Sequence, residues 1–202
     1  MLRRPASIPL EHVRRLAGAS ASAKAAAEAQ AIPGRPVDPL PHIAVVGPGS
    51  DVSPWDLSVA TEVGSLTAAR GAILMCGGLG GIGEAACRGA RAHDGQCIGI
   101  LPGTDRLEGN PYLTVGLPTG LGEMSSALVV RCSDVLIAVG GSWGTLSEVA
   151  LALRLEKPVV ALDTWRVRER HHALHNAKNA EDAVKIAFEL LSGPGSADHS
   201  DA

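Results

Sequence analysis

Short apolar runs alternate with helical patterns along most of this chain. The apolar runs are nearly continuous in Val, Ile and Leu, which is typical of parallel strands that are buried on both faces. The predicted strands are, in order, "HIAVVGPGS", "AILMCGG", "CIGILPG", "LTVGL", "DVLIAVGG" and "PVVALD".

Helical patterns separate these strands, and capping signals mark two of the helices. Ser53 is predicted to cap a helix that begins at Pro54 and runs through Arg70. Asn179 with Asp182 is predicted to cap the last helix. The other predicted helices are "GIGEAACRGARAHDG", "GEMSSALVVRCS" and "GTLSEVALALRLEK". The alternation indicates βαβ units, so the predicted fold class is α/β, a doubly wound, mostly parallel Rossmann-like sheet with helices on both faces.

The two ends of the chain lack this pattern. Residues 1–40 are rich in Ala, Ser and Arg and end in the proline-punctuated stretch "AIPGRPVDPLP", so we expect a mobile N-terminal arm. Residues 193–202 are expected to form a disordered tail. Residues 41–192 remain as one predicted nucleotide-binding domain.

Composition excludes several classes of partner. The chain has 202 residues, a net charge of -3 and 2% aromatic residues, so we expect it to bind neither nucleic acid nor an anionic membrane. No run is apolar enough to span a bilayer. The cysteines show no CxxC spacing, so we expect reduced, buried thiols and a cytoplasmic protein. They are Cys76, Cys87, Cys97 and Cys132.

Glycine-containing turns follow four of the predicted strands: "GPGS", "GGLGGIG", "PGTD" and "GGSWGT". Ligands of doubly wound sheets bind at the carboxyl ends of the strands, and glycine leaves backbone N–H groups accessible to a phosphate. Turn geometry alone explains any one such turn, but four together favour a phosphate or nucleotide site.

Two standard nucleotide motifs fit poorly. Gly78, Gly80 and Gly83 form a literal GxGxxG, but the next predicted strand ends in Leu101 without the acid that would hold a ribose. A classical NAD site is therefore disfavoured. The chain also lacks GxxxxGK[ST], which excludes a Walker phosphate loop.

The stretch "GGSWGTLSE" resembles the GGxGTxxE motif of the LOG (lonely guy) proteins, also called possible lysine decarboxylases, and still more their molybdenum cofactor carrier relatives. "CGGLGGIGEAACRGA", "GILPG" and "TGLGEMSS" support the resemblance, which covers residues 43–191. It implies a Rossmann-like, homodimeric or larger assembly that binds a phosphate or nucleotide. Lysine decarboxylation is not expected, because residues 43–156 contain no lysine for a pyridoxal phosphate Schiff base.

For the hydrolase branch of the family, the resemblance implies that Glu148 assists water in cleaving the N-glycosidic bond of a nucleoside 5'-monophosphate. An arginine on the preceding helix would hold that substrate. An alternative explanation of Glu148 is a capping box that begins at Thr145. In either case a carboxylate at a helix start is expected to stay ionised.

The sequence departs from the family where the hydrolases carry Arg-Lys and the carriers carry Arg-Asn. Ser125 and Ser126 stand there instead. Arg131 lies six residues after Ser125, about 240° round the helix axis, so it is expected to face elsewhere. Arg88 is a spare cation near the second glycine turn or part of a solvated helix face, and Val139 replaces the hydrolases' proline. These departures favour binding over catalysis.

The leading hypothesis is a binding protein for a phosphorylated nucleotide or cofactor-like ligand, including nucleotide, phosphate or a molybdopterin-type compound, with no required cofactor. The alternatives are a nucleoside 5'-monophosphate phosphoribohydrolase that uses Glu148 and an oligomeric scaffold with a vestigial pocket. The predicted ligand-binding residues are Gly47, Gly49, Gly77, Gly78, Gly80, Gly81, Thr119, Gly120, Ser125, Gly140, Gly141, Ser142, Trp143, Gly144 and Thr145.

Some remaining side chains invite weaker hypotheses. Trp143 is predicted either to stack on a ring of the ligand or to pack at a subunit contact. Asp105 and Asn110 are assigned to turns, with the rim of the pocket as the alternative. The histidines of "HHALH" fall in a predicted charged loop without acidic or cysteine neighbours, so no metal site is predicted. They are His171, His172 and His175.

Overall fold

The computed structural model describes residues 40–167 and 173–192. All of them belong to one compact unit, which the contacts delimit as Pro39–Ala202. The predicted arm up to residue 39, the predicted tail, and His171 and His172 lie outside the described residues. Among the helices that are described, none is long and apolar enough to cross a membrane.

Parallel strands form one sheet in the order β4-β3-β2-β1-β5-β6-β7. The chain first builds outward from β1 to β4 and then returns to the other side of β1 to add β5, β6 and β7. Strand order therefore reverses between β1 and β5, as the doubly wound prediction requires. The strands are β1 (His42–Val46), β2 (Ile73–Cys76), β3 (Cys97–Leu101), β4 (Val115–Pro118), β5 (Val135–Val139), β6 (Val159–Leu162) and β7 (Leu174–Asn176).

Helices follow most of the strands, and the first and the last of them begin where their capping signals predict. Ser53 Oγ accepts a hydrogen bond from the Asp56 amide, and Asn179 Oδ1 accepts one from the Asp182 amide. A short 3₁₀ turn, Gly122–Met124, leads into α3. The helices are α1 (Pro54–Ala69), α2 (Gly81–Arg91), α3 (Ser125–Arg131), α4 (Trp143–Arg154) and α5 (Ala180–Ser192).

Both faces of the central strands are buried. Alternate residues of β1 point to opposite faces: Ile43 and Val45 pack with α1, α2 and α5, whereas Ala44 and Val46 pack with α3 and α4. This three-layer core confirms the fold class and explains why β2, β3, β5 and β6 lack polar positions.

Two predictions about single residues need correction. His175 lies in β7, beside Val160 of β6, and not in a loop. This edge strand has only three residues, too few for an apolar run. The four cysteines are free thiols, but Cys132 is exposed because it caps the C-terminus of α3, while the other three are buried.

Candidate functional site

A cavity of about 910 Å³ opens at the carboxyl end of the sheet, where strand order reverses between β1 and β5. Chain segments that follow β1, β2, β3, β4 and β5 form its walls. Its lining residues are Val45, Val46, Gly47, Gly49, Gly77, Gly78, Leu79, Gly80, Gly83, Pro102, Gly122, Glu123, Ser125, Ser126, Ser142, Trp143, Gly144, Thr145, Ser147 and Glu148.

The β2 loop, Gly77–Gly80, is held by the rest of the protein. Gly78 has a φ of +79°, and a Cβ there would meet the Leu101 side chain. Gly81, the first residue of α2, has a φ of +68°, and a Cβ there would overlap the Pro48 carbonyl oxygen. That oxygen also accepts a hydrogen bond from the Ile82 amide at 3.1 Å. Close packing and a positive φ thus require glycine at positions 78 and 81.

Asn110 fixes the same loop from the other side. Its Nδ2 donates to the carbonyl oxygens of Gly78 and Leu79 at 3.2 and 3.1 Å. Asp105 caps a 3₁₀ turn by accepting from the Leu107 amide. Both residues make turns, as predicted, and neither lines the cavity.

The β5 loop, Gly140–Ser142, leads into α4 and leaves donors free. Ser142 is the N-cap, and its Oγ accepts a hydrogen bond from the Thr145 amide at 3.1 Å. Among the described residues, no group accepts from the amides of Trp143 and Gly144, the first two residues of α4. Two unpaired N–H groups at the positive end of a helix dipole suit an anion.

Trp165 supports the β5 loop, and the sequence analysis did not predict this role. Its Nε1 donates to the Ser142 carbonyl oxygen at 2.9 Å, and its ring centroid lies 5.0 Å from that of Trp143. The contact joins residues that are distant in sequence, so no local motif signals it. Trp143 itself is 77% exposed and lines the cavity.

Glu148 lines the cavity one turn into α4, and two expectations about it are wrong. Ser142 caps the helix in place of Thr145, so Glu148 is not part of a capping box. Burial raises the pKa of Glu148 from 4.5 to about 7, so the carboxyl is largely ionised only above neutral pH. Desolvation outweighs the helix dipole because Glu148 lies beyond its first turn.

The start of α3 contributes hydroxyl groups to the cavity. Ser125 is 5% exposed, and Ser126 Oγ donates to the Glu123 carbonyl oxygen at 2.9 Å. Arg131 does not line the cavity, as expected, and Arg88 binds Thr61 Oγ1 on α1 at 3.0 Å. The ionisable lining residues within the described part of the chain are Glu123 and Glu148, both acidic.

Several predicted binding residues stand outside the cavity lining. Thr119 donates its hydroxyl to the Leu101 carbonyl oxygen, and the Gly120 amide donates to Gly103. The cavity lining also leaves out Gly81, Gly140 and Gly141. A Cβ at Gly81 would overlap Pro48, and one at Gly141 would lie close to the Trp165 ring. The other predicted residues line it, together with residues that were not predicted: Val45, Val46, Leu79, Gly83, Pro102, Gly122, Glu123, Ser126 and Ser147.

Comparison with known proteins gives the site a family context. The model of the SLOG cluster4 family matches residues 40–189, which include every wall of the cavity. An uncharacterised protein of Archaeoglobus fulgidus is 38% identical over 123 residues, which is 61% of this chain and 80% of that protein.

Two solved structures share the fold and about a third of the aligned residues. The molybdenum cofactor binding protein of Rippkaea orientalis aligns with a TM-score of 0.69 and 34% identity, over 75% of this chain and 98% of that chain. The Moco carrier protein of Chlamydomonas reinhardtii aligns with a TM-score of 0.70 and 36% identity, over 76% and 98%.

Proposed function

Since this chain belongs to the SLOG cluster4 family, we propose that its cavity binds a small phosphorylated ligand and that binding, not catalysis, is its main function. The observation that carries this proposal is the pair of free amides on Trp143 and Gly144 at the edge of a cavity of about 910 Å³. The phosphate would accept hydrogen bonds from these amides, and the rest of the ligand would occupy the cavity.

The solved relatives support a ligand of the cofactor kind. The Rippkaea orientalis protein is a molybdenum cofactor binding protein, and the Chlamydomonas reinhardtii protein is a Moco carrier. A molybdopterin-type ligand is therefore included in the proposed class, next to nucleotides. A carrier needs a site that holds its ligand without transforming it.

The charges of the cavity favour holding over turnover. Glu123 and Glu148 are acidic, and no lining residue among those described is basic. Backbone amides and the hydroxyl of Ser125 at the start of α3 are the donors available to a phosphate, because the Ser126 hydroxyl donates to the Glu123 carbonyl oxygen. Without a basic side chain, the phosphate of a substrate would be held by neutral donors alone, which lack the additional strength of a hydrogen bond from a cation.

One pair of substitutions tests the phosphate contact. Gly144→Pro removes the amide hydrogen at a helix position where it has no partner, whereas Gly144→Ala keeps it. By calorimetry with AMP and a pterin phosphate, we expect Gly144→Pro to lose about 1.5–3 kcal/mol of binding free energy relative to Gly144→Ala. Equal affinities in two proteins with equal melting temperatures would place the phosphate elsewhere.

A second candidate function is phosphoribohydrolysis, which the position of Glu148 favours. Its carboxyl lies in the cavity with a pKa near 7, within the range of a general acid or base. We expect wild type to release little or no adenine from AMP, and Ser125→Arg with Ser126→Lys to gain activity that Glu148→Gln removes. Chromatography measures the release. Wild-type turnover of about 1 s⁻¹ or faster that Glu148→Gln abolishes would establish the hydrolase instead.

We also propose that the chain assembles as a homodimer or larger homo-oligomer. Val115 and Leu117 support this, because they are 44% and 45% exposed on β4 at the edge of the sheet. Light scattering measures the mass in solution. A monomeric mass at micromolar concentration would contradict the proposal.

A further inference from the structure

An aromatic surface lies next to the free amides of α4. Trp143 lines the cavity and is 77% exposed, so the described residues leave most of its ring uncovered. The ring of Trp165 packs against it with an interplanar angle of 31°, and Trp165 does not line the cavity. One tryptophan therefore faces the cavity, and the other stands behind it.

The supporting tryptophan is fixed in place. Trp165 Nε1 donates to the Ser142 carbonyl oxygen at 2.9 Å, and a Cβ at Gly141 would lie 3.1 Å from the same nitrogen. The ring is thus seated directly on the β5 loop. Because it also contacts Trp143, it restricts the rotamers of that side chain, which lowers the entropy cost of stacking.

The wall formed by the β1 and β2 segments is bare backbone in several places. Gly47, Gly49, Gly77 and Gly80 line the cavity without side chains. Such a wall leaves room for a flat group and offers peptide planes to it. A cavity with an aromatic side chain on one wall and glycines on another suits a planar ligand better than a branched one.

We infer that Trp143 gives the site its selectivity: its side chain stacks on the planar heteroaromatic ring of the nucleotide or pterin ligand, while the amides of Trp143 and Gly144 hold the phosphate. This inference rests on the proposed function and adds the residue that recognises the ring. Trp165 is a positioning residue, since it acts through Trp143. The site then distinguishes phosphates that carry a ring from phosphates that do not.

Calorimetry with AMP and ribose 5-phosphate tests the inference, because the two compounds share the phosphate and differ in the ring. Trp143→Ala keeps the backbone amide, Trp143→Phe keeps an aromatic ring, and Trp55→Phe changes an exposed tryptophan outside the cavity. We expect Trp143→Ala to weaken the binding of AMP about 5- to 150-fold, which is the range of base–aromatic stacking. Its affinity for ribose 5-phosphate should stay within about twofold of the wild-type value. Trp143→Phe should recover most of the loss, and Trp55→Phe should bind as wild type does.

The outcomes separate the ring contact from the phosphate contact. If Trp143→Ala weakens both compounds equally, or if wild type binds them equally, Trp143 does not read the ring and the inference is wrong while the phosphate site stands. If Trp143→Ala changes only the mass in solution, Trp143 belongs to a subunit contact and the inference is wrong. If wild type binds neither compound nor a pterin phosphate, the proposed function itself fails, and the inference fails with it.

Discussion

The starts of α2 and α4 each follow a glycine-rich loop, yet the glycines at the two helix starts differ. At the start of α2, Gly81 has a φ of +68°, and a Cβ there would overlap the Pro48 carbonyl oxygen. At the start of α4, a Cβ at Gly144 would meet nothing closer than Ser142 Oγ at 3.6 Å. Both loops contain a glycine with a positive φ, Gly78 in the β2 loop and Gly140 in the β5 loop. Glycine density alone therefore does not identify a ligand site, and we expect free amides beside empty space to do so.

Replacing glycine by alanine at each helix start should give the largest difference in unfolding free energy. Gly81→Ala meets a strained φ and an occupied position, so we expect a loss of about 2–6 kcal/mol in unfolding free energy. Gly144→Ala should change it by less than about 1 kcal/mol and in the stabilising direction. Urea denaturation measures both. Equal effects would mean that the two helix starts are equally open.

The pKa of Glu148 gives the next largest effect. A folded-state pKa of about 7 lies above the unfolded value of 4.5, so the carboxyl opposes folding increasingly as pH rises from 4.5 to 7, and the penalty is complete above 7. Glu148→Gln should therefore stabilise the protein by up to about 3 kcal/mol at pH 8 and by almost nothing at pH 4. Thermal unfolding across this pH range measures the difference. A stabilisation that does not depend on pH would show that burial does not shift this group.

Removing the polar support of each loop tests how each is held. Asn110→Ala leaves the carbonyls of Gly78 and Leu79 without their side-chain donor, which should cost about 1–3 kcal/mol. Ser142→Ala removes the cap of α4 and should cost about 1 kcal/mol. Chemical denaturation of the two variants measures the costs. If Ser142→Ala lost more unfolding free energy than Asn110→Ala, the β5 loop and not the β2 loop would be the more strongly held.

The smallest expected effect is on ligand affinity. Ionisation of Glu148 adds a negative charge to the cavity, so it should weaken the binding of AMP about fivefold between pH 6 and pH 8.5. Glu148→Gln cannot ionise at this position, so the ratio of the AMP dissociation constants of wild type and variant separates the effect of Glu148 from the titration of the phosphate. Calorimetry at both pH values measures it. A wild-type to variant ratio that stays constant would remove Glu148 from the neighbourhood of the phosphate.

Most of the fold could be predicted from the sequence because its signals are local. Buried strands need continuous apolar runs, and Ser53 and Asn179 cap their helices through neighbours three residues away. β7 could not be predicted, since a three-residue edge strand that contains His175 has no apolar run. The candidate cavity was located largely through the glycine turns at the strand ends.

Finer features of the cavity depend on contacts that sequence does not reveal. Ser142 and Thr145 are both good capping residues, and the end of β5 at Val139 with the turn at Gly140 decides in favour of Ser142. Trp165 reaches the β5 loop from 23 residues away. The pKa of Glu148 follows from the burial that packing creates, which no motif encodes.

A crystal structure of the protein soaked with AMP tests the central claim most directly. The account predicts phosphate oxygens within about 3.2 Å of the amide nitrogens of Trp143 and Gly144, with the rest of the molecule in the cavity. A phosphate bound instead at the start of α2, near Gly81, would contradict the distinction between the two helix starts. An empty cavity in crystals saturated with both AMP and a pterin phosphate would contradict the proposed function.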